Sequence, residues 1–242
     1  MPKLRLDNLL VSKGLIATRS QAESYVRLGL VKVGSEVITK PGQLVQDSAE
    51  ISLNVSNQYV SRAALKLESI ADQFHLDFKD KIVLDVGSST GGFTDFALRK
   101  GASRVYAVEK GTNQLHSSLH GNPRIELHEK TDIRDFLPSK RPDVVVIDVS
   151  FVSIRELLPH LWMISSATTL IVAMVKPQFE ASMSNLKHKG VIKNDHMRRQ
   201  ILKDFEEYIQ DRFVILAKAD SRVAGSKGNV ERFYLLKKQI KK

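Results

Sequence analysis

The sequence predicts an α/β protein in which a doubly wound sheet of seven strands follows a small α+β domain. Two observations support this fold class. Short apolar runs recur between residues 82 and 236, and helical or loop segments separate most of them, as in a largely parallel sheet covered by helices. The 242 residues also suffice for such a domain with a small module in front of it.

The front module is predicted to hold two short helices and small strands. Residues 5–13 have leucines at helical spacing, and Thr18 with Gln21 forms a capping box that begins a second helix. A hairpin is expected over residues 31–38, around the turn Gly34-Ser35. The polar segment 54–58 marks the junction, so we expect a domain of residues 1–54, a linker of 55–60 and a second domain of 61–242.

The second domain begins with a predicted helix, Ser61 to Phe74, and continues with strands. The last two strands are separated by a short Gly-rich stretch, so we expect them to close the sheet as an antiparallel pair. The predicted strands are Ile82 to Val86, Val105 to Glu109, Arg124 to His128, Val144 to Val149, Leu170 to Val175, Phe213 to Ala219 and Phe233 to Leu236.

A glycine-rich turn follows the first strand of this Rossmann-like sheet and leads into a helix. Glycines at that place let the backbone approach a ligand in the crevice at the strand ends. The spacing departs from G-x-G-x-x-G, and Phe93-Thr94 stands where a phosphate-binding loop needs Lys-Ser/Thr, so NTP hydrolysis is not expected.

Asp85 favours S-adenosylmethionine as the ligand of this turn. A carboxylate would repel a pyrophosphate but attracts a ligand that is cationic at its sulfur and amine. Glu109, at the end of the next strand, is expected to bind the cofactor ribose. The expected cofactor-binding residues are Asp85, Gly87, Ser89, Thr90, Gly91, Gly92, Phe93, Glu109 and Asp132.

Composition excludes several classes of protein. The chain has no cysteine, so disulfides, cysteine-ligated zinc and thiol nucleophiles are excluded. No secretory signal or transmembrane run is recognised, which favours a cytoplasmic protein without a membrane partner. The formal net charge of +10 favours encounters with polyanions but does not identify one.

Several motifs together resemble one family. Asp85-Val-Gly-Ser-Ser-Thr-Gly-Gly-Phe-Thr-Asp95, Asp148-Val-Ser-Phe-Val-Ser-Ile154, Lys176-Pro-Gln-Phe-Glu180 and Gly228-Asn-Val-Glu231 are similar to the TlyA family, often labelled hemolysin A, within the FtsJ-like ribose methyltransferases. The front unit, with Arg5-Leu-Asp-Asn-Leu-Leu-Val and Thr18-Arg-Ser-Gln-Ala, resembles an S4 RNA-binding domain. The resemblance covers nearly the whole chain.

The resemblance implies a catalytic tetrad, which falls on Lys66, Asp148, Lys176 and Glu231. It also implies methyl transfer to a ribose 2′-hydroxyl of ribosomal RNA, with cytidine in 16S or 23S RNA as the usual target. We expect Lys176 either to accept the hydroxyl proton or to stabilise the developing alkoxide, while the two acids orient the lysines. No metal is needed, and His116 and His120 are interpreted as an exposed helix face.

One of the cofactor positions departs from the family, which commonly has Asn where Asp132 stands. We assign Asp132 the adenine edge, since a carboxylate can still accept a hydrogen bond from the exocyclic amine.

Basic residues in the front domain, and a second group between residues 187 and 199, are expected to contact RNA phosphates. A solvated helix face is the alternative for that second group, and the protein is expected to be a monomer. Two other functions stay open: a pore-forming hemolysin, and a methyltransferase for a substrate other than RNA. The residues assigned to RNA are Lys3, Arg5, Arg19, Arg27, Lys32, Arg62 and Lys189.

Overall fold

The computed structural model describes residues 3–16, 18–54, 59–186, 190–192, 194–223 and 228–240. Its front part contains two helices and two small sheets. Strand β1 pairs antiparallel with β4, and β2 lies between β3 and β5. The elements are β1 (Lys3–Arg5), α1 (Leu6–Ser12), α2 (Arg19–Arg27), β2 (Val31–Val33), β3 (Glu36–Val37), β4 (Leu44–Gln46) and β5 (Ile51–Leu53).

The capping box expected at the second helix forms only in part. Thr18 accepts a hydrogen bond from the Gln21 backbone N–H, as an N-cap does. The Gln21 side chain instead donates to the backbone oxygen of Tyr59, because a partner across the domain junction lies within its reach. The predicted hairpin is confirmed by the antiparallel pairing of β2 with β3.

The rest of the chain forms a seven-stranded sheet with helices. Its order is β11-β12-β10-β9-β6-β7-β8, with β12 antiparallel to both neighbours and the other pairs parallel. The elements are α3 (Arg62–Ala71), β6 (Ile82–Val86), α4 (Gly92–Arg99), β7 (Arg104–Val108), β8 (Ile125–His128), β9 (Val144–Ile147), α5 (Ile154–Ile164), β10 (Leu170–Val175), α6 (Pro177–Glu180), α7 (Asp195–Ile209), β11 (Phe213–Asp220) and β12 (Arg232–Lys238).

The predicted fold class, seven strands and antiparallel closure are thus confirmed, while several element ends differ. The helix expected from Ser61 to Phe74 spans only α3. Strand β9 ends at Ile147 rather than Val149, although the Asp148 N–H still donates to the backbone oxygen of Val86 at 3.1 Å. His116 and His120 do not share a helix face, since they flank a single 3-10 turn, Ser117–Leu119.

Several of the predicted site residues lie at one rim of the sheet. Gly87, Glu109, Asp148 and Lys176 each follow directly on the carboxyl end of a parallel strand. In open α/β sheets this rim is where ligands bind. The central strands β6 and β9 are buried, so the loops at this rim are anchored in the core of the sheet.

Candidate active site

The turn after β6 brings two strand ends close together. Gly87 has a φ of +79°, and a Cβ at this position would lie 2.7 Å from the backbone oxygen of Asp148. A side chain here would be strained and would collide with backbone. Glycine at this position therefore lets the β9 end, with Asp148, pass directly against the β6 turn.

Gly91 and Gly92 allow close packing of the segments around them. A Cβ on Gly91 would meet Leu115 and Leu119, and a Cβ on Gly92 would meet Ser61 and Ala63 at the start of α3. Neither glycine lines a cavity at this rim, so their assignment to the cofactor stays a prediction.

A cavity of about 510 Å³ opens beside the glycine turn. It combines apolar walls with three acids and with the basic residues Lys110 and Arg134, a lining that suits a nucleoside with polar groups. The lining includes Gly87, Ser89, Val108, Glu109, Asp132, Ile133, Asp148, Val149, Ser150 and Leu157. Of the expected cofactor residues, Gly87, Ser89, Glu109 and Asp132 lie here.

Asp85 is buried below this turn. The Thr94 hydroxyl donates to its Oδ2 at 2.7 Å, while Oδ1 has no hydrogen-bond partner within the described part of the chain. Burial, with smaller contributions from Asp148 and Glu109, raises the pKa of Asp85 to about 7. An unpaired, buried carboxylate oxygen is what a cationic ligand would satisfy, so the residues fit S-adenosylmethionine.

Glu109 ties the glycine turn to the end of β7. Its carboxylate accepts from the backbone N–H of Ser89 at 3.0 Å and from that of Gly111 at 2.7 Å. Two backbone donors fix the direction of this carboxylate at the cavity wall, and further lone pairs stay available to ligand hydroxyls.

Asp132 is held by a neighbouring arginine that the sequence reasoning did not consider. The Arg134 guanidinium donates to both carboxylate oxygens, at 2.9 and 2.7 Å. These bonds hold the pKa of Asp132 well below its usual range. The carboxylate that stands for the family's Asn is therefore an ionised partner of Arg134, and its adenine contact stays a prediction.

The four tetrad residues meet as two ion pairs at one rim. Lys66 Nζ lies 2.6 Å from Glu231 Oε2, and Lys176 Nζ lies 2.5 Å from Asp148 Oδ1. The ladder between β10 and β12 ends with Val175 opposite Arg232, so Lys176 and Glu231 leave adjacent strands together. The expectation that Asp148 needs a partner against its buried strand is met by Lys176.

A second cavity, of about 150 Å³, connects Asp148 and Lys176 with the cofactor side. It shares Gly87, Ser89, Asp148 and Ser150 with the larger cavity. Its other lining residues are Ala63, Asp85, Ser88, Thr90, Phe93 and Lys176. Thr90 and Phe93 thus lie beside Asp85 and Lys176, away from the larger cavity.

Three side chains at this rim were missed by the sequence reasoning. Ser150 accepts from Lys176 Nζ at 3.0 Å. Phe151 is 91% exposed, with a φ of +67°, and its ring packs 5.2 Å from that of Phe179. Glu180 is buried and accepts from Ser153 Oγ at 2.6 Å, which ties the Lys176 segment to the start of α5. The sequence carries no pattern that pairs such distant residues.

The front domain presents an organised pair of arginines. Asp7 is fully buried, yet its carboxylate accepts from Arg5 at 2.6 and 3.1 Å and from Arg19 at 3.3 Å. Both arginines remain about half exposed. Burial alone would raise the pKa of Asp7, but these bonds outweigh it and lower the pKa.

The other residues assigned to RNA differ in how exposed their side chains are. Lys3 and Arg27 are exposed, whereas Lys32 and Arg62 are half-buried. Lys187, Lys189 and Lys193 lie outside the described residues. Arg198 is held by Asp220, at 2.5 Å, and by the backbone oxygen of Val230, and Asp220 also pairs with Arg232.

The described residues contain no group of three or more His, Asp or Glu side chains that could hold a metal. His116 bonds Ser118, and His120 bonds the backbone oxygen of Leu115. Nor does the described chain contain a helix with the length and apolarity needed to span a bilayer.

Comparison with known proteins decides the family. Residues 59–238 match the family model described as FtsJ-like methyltransferase, and residues 4–51 match the S4 domain. The chain belongs to the FtsJ-like methyltransferase family. The expected methyltransferase activity, S-adenosylmethionine cofactor and S4 domain are thereby confirmed. The domain ends and the linker stay predictions.

Three relatives illustrate the match. The 16S/23S rRNA (cytidine-2′-O)-methyltransferase TlyA of Mycobacterium tuberculosis is 33% identical, over 98% of this chain and 91% of its own. The 23S rRNA (cytidine-2′-O)-methyltransferase TlyA of Campylobacter jejuni is 39% identical, over 79% of this chain and 75% of its own. A solved structure from Streptococcus thermophilus, named as a hemolysin, is 36% identical, with a TM-score of 0.71 over 99% of this chain and 90% of its own.

Proposed function

We propose that this FtsJ-like methyltransferase transfers a methyl group from S-adenosylmethionine to the 2′-hydroxyl of a cytidine in ribosomal RNA. The observation that carries the proposal is the pair Lys176–Asp148, which lines the same small cavity as Asp85 and the glycine turn. A proton acceptor beside the donor site suits attack by an alcohol, which must lose its proton.

The residues assigned to the cofactor would bind it through their charge and through the shape of the cavity. The bound cofactor supplies a methyl group on a positively charged sulfur. Asp85 compensates positive charge through its unpaired oxygen, and Glu109 accepts from ribose hydroxyls with a carboxylate fixed by two backbone donors. Val108, Ile133 and Leu157 supply the apolar wall for the base.

The tetrad prepares the attacking oxygen. Lys176 accepts the proton of the ribose hydroxyl as that oxygen takes the methyl group. Asp148 holds the lysine toward the shared cavity, and Glu231 holds Lys66 beside it. The proton stays on Lys176 Nζ until solvent removes it.

Three features support RNA as the substrate. The front S4 domain presents Arg5 and Arg19, held as a pair by Asp7, to phosphate groups. Phe151 exposes a ring face at the mouth of the site, and unpaired RNA bases stack on such faces. A 2′-hydroxyl, which DNA lacks, is the reacting group. In this proposal the protein is a cytoplasmic monomer that acts on ribosomal subunits.

To test this, the purified enzyme and tritiated S-adenosylmethionine are incubated separately with unmethylated ribosomal RNA, with a protein fraction and with a metabolite extract. We expect label in RNA alone, and on digestion to nucleosides in 2′-O-methylcytidine. Lys176→Ala should abolish the label, whereas Lys218→Ala, which removes an edge-strand lysine ion-paired to Glu206, should not. Label in the protein or metabolite fraction would overturn the proposal.

A further inference from the structure

Ser150 stands at the junction of the two cavities. It lines both the cofactor cavity and the smaller cavity that contains Lys176. The residue is exposed, and it follows β9 by way of Asp148 and Val149. A group at this junction is within reach of the place where donor and acceptor must meet.

The Ser150 hydroxyl is a direct partner of the reactive lysine. Lys176 Nζ donates to Ser150 Oγ at 3.0 Å and contacts Asp148 Oδ1 at 2.5 Å. The ring of Phe179 lies 5.9 Å from the same nitrogen. The acids that face Lys176 are Asp148 by contact, Asp85 across the shared cavity, and Glu231 on the adjacent strand.

Lys176 Nζ is held by the ion pair with Asp148 and by one hydrogen bond, which it donates to Ser150 Oγ. An amine has two N–H groups and one lone pair, arranged as a tetrahedron around nitrogen. The N–H that donates to Ser150 limits rotation about the Cε–Nζ bond and therefore limits the directions open to the lone pair. With the Asp148 contact alone the amine can rotate, and its lone pair is directed at the ribose hydroxyl for only part of the time.

We propose that Ser150 is a positioning residue, whose hydroxyl aims the Lys176 lone pair at the attacking ribose oxygen. The inference rests on the proposed function and adds to it a residue outside the tetrad. Ser150 itself exchanges no proton with the substrate, and it acts through Lys176.

The test measures kcat and KM of methyl transfer to unmethylated ribosomal RNA for Ser150→Ala. Loss of the hydrogen bond that orients Lys176 should lower kcat by about tenfold, with KM for S-adenosylmethionine unchanged. Since Ser150 is exposed, the variant should keep the wild-type unfolding temperature.

Two further variants serve as controls. Ser150→Thr keeps the hydroxyl and should restore most of kcat. Ser182→Ala removes another exposed serine, in the 3-10 turn after α6, and should leave all parameters unchanged.

The possible results separate the two claims. A wild-type protein that transfers no methyl to RNA overturns the proposed function and this inference with it. An active wild type with an equally active Ser150→Ala, or with a loss in KM alone, overturns only the role of Ser150. A kcat loss that Ser150→Thr fails to recover would also contradict it.

Discussion

The carboxyl group of Asp85 combines full burial with one oxygen that lacks a partner in the described chain. Burial raises its pKa to about 7, so the free protein holds it largely protonated at lower pH. A cationic cofactor favours the ionised form. Cofactor binding and ionisation of Asp85 are therefore coupled.

The first prediction concerns the pH dependence of cofactor binding. Below pH 7 binding must remove a proton from Asp85, so the Kd for S-adenosylmethionine should rise as the pH falls, by up to about tenfold per unit. Isothermal titration calorimetry from pH 6 to 8 measures Kd, and buffers of different ionisation enthalpy reveal the released proton.

Asp85→Asn is the control for that coupling. The amide cannot ionise, so binding should be weaker at pH 8 and nearly constant between pH 6 and 7. A wild-type Kd that is flat over this range would contradict the coupling.

The sequence could predict which residues lie at this rim but not all of their partners. Asp85, Asp148 and Lys176 were proposed because each ends a strand, or nearly so, and the resemblance supplied Lys66 and Glu231. The pairing of Asp132 with Arg134, and of Lys176 with Ser150, depends on side-chain directions in loops. No periodicity encodes those directions.

At the level of elements, the active-site rim depends on the close approach of the β6 turn and the end of β9. Gly87 permits that approach, because its Cβ position is occupied by the backbone of Asp148. Movement of this backbone would shift Asp148 and, through their ion pair, Lys176.

The second prediction is that Gly87→Ala lowers both stability and activity. An alanine at positive φ costs about 1–2 kcal/mol, and the collision with Asp148 adds to that cost and displaces the catalytic pair. Gly121→Ala is the matched control, since Gly121 has a φ of +72° and nothing within 4 Å of its Cβ position. Urea unfolding and methyl transfer are measured for both.

Gly121→Ala should lose about 1–2 kcal/mol of unfolding free energy and keep its kcat. If Gly87→Ala matched this control in both measurements, the approach of the two segments would not matter for catalysis.

Long apolar elements were predicted well, and short strands were not. Most strands of the central sheet, such as β6, β7, β9, β10 and β12, have buried apolar runs that patterning detects. Strands β1, β4 and β5 have three residues each, partly exposed, and their pairing partners lie far along the chain. Such strands are defined by pairing with distant segments, so the local sequence pattern does not predict them.

On the scale of the whole molecule, the two domains share one apolar core. A single cluster of buried side chains includes Leu6 and Tyr25 of the front domain together with Phe96 and Phe233 of the catalytic domain. The Tyr25 hydroxyl accepts from the backbone N–H of Tyr59 at 3.4 Å. This packing holds the arginines of the S4 domain in a defined position relative to the active site.

The third prediction is that Arg5→Gln and Arg19→Gln weaken RNA binding without affecting the cofactor. Each removes a phosphate contact, so the slope of log K against log salt should fall in magnitude by about 1. Lys79→Gln makes the same charge change at an exposed residue just before β6, at the opposite end of the sheet. Filter binding of ribosomal RNA across a salt series measures the slopes.

Equal slopes for wild type, Arg5→Gln and Lys79→Gln would mean that the front arginines do not contact the RNA backbone. A change in the Kd for S-adenosylmethionine would indicate that the substitutions disturb the fold rather than the contact.

Lys176, held by Asp148 beside the glycine turn, is proposed to activate a ribose hydroxyl. Mapping of 2′-O-methylation at every nucleotide of 16S and 23S RNA tests this role in cells that lack the gene and are supplied with wild type or Lys176→Ala. At equal protein levels, wild type should restore a methylated cytidine and Lys176→Ala should not. Identical maps for the two complemented strains would contradict this role of Lys176.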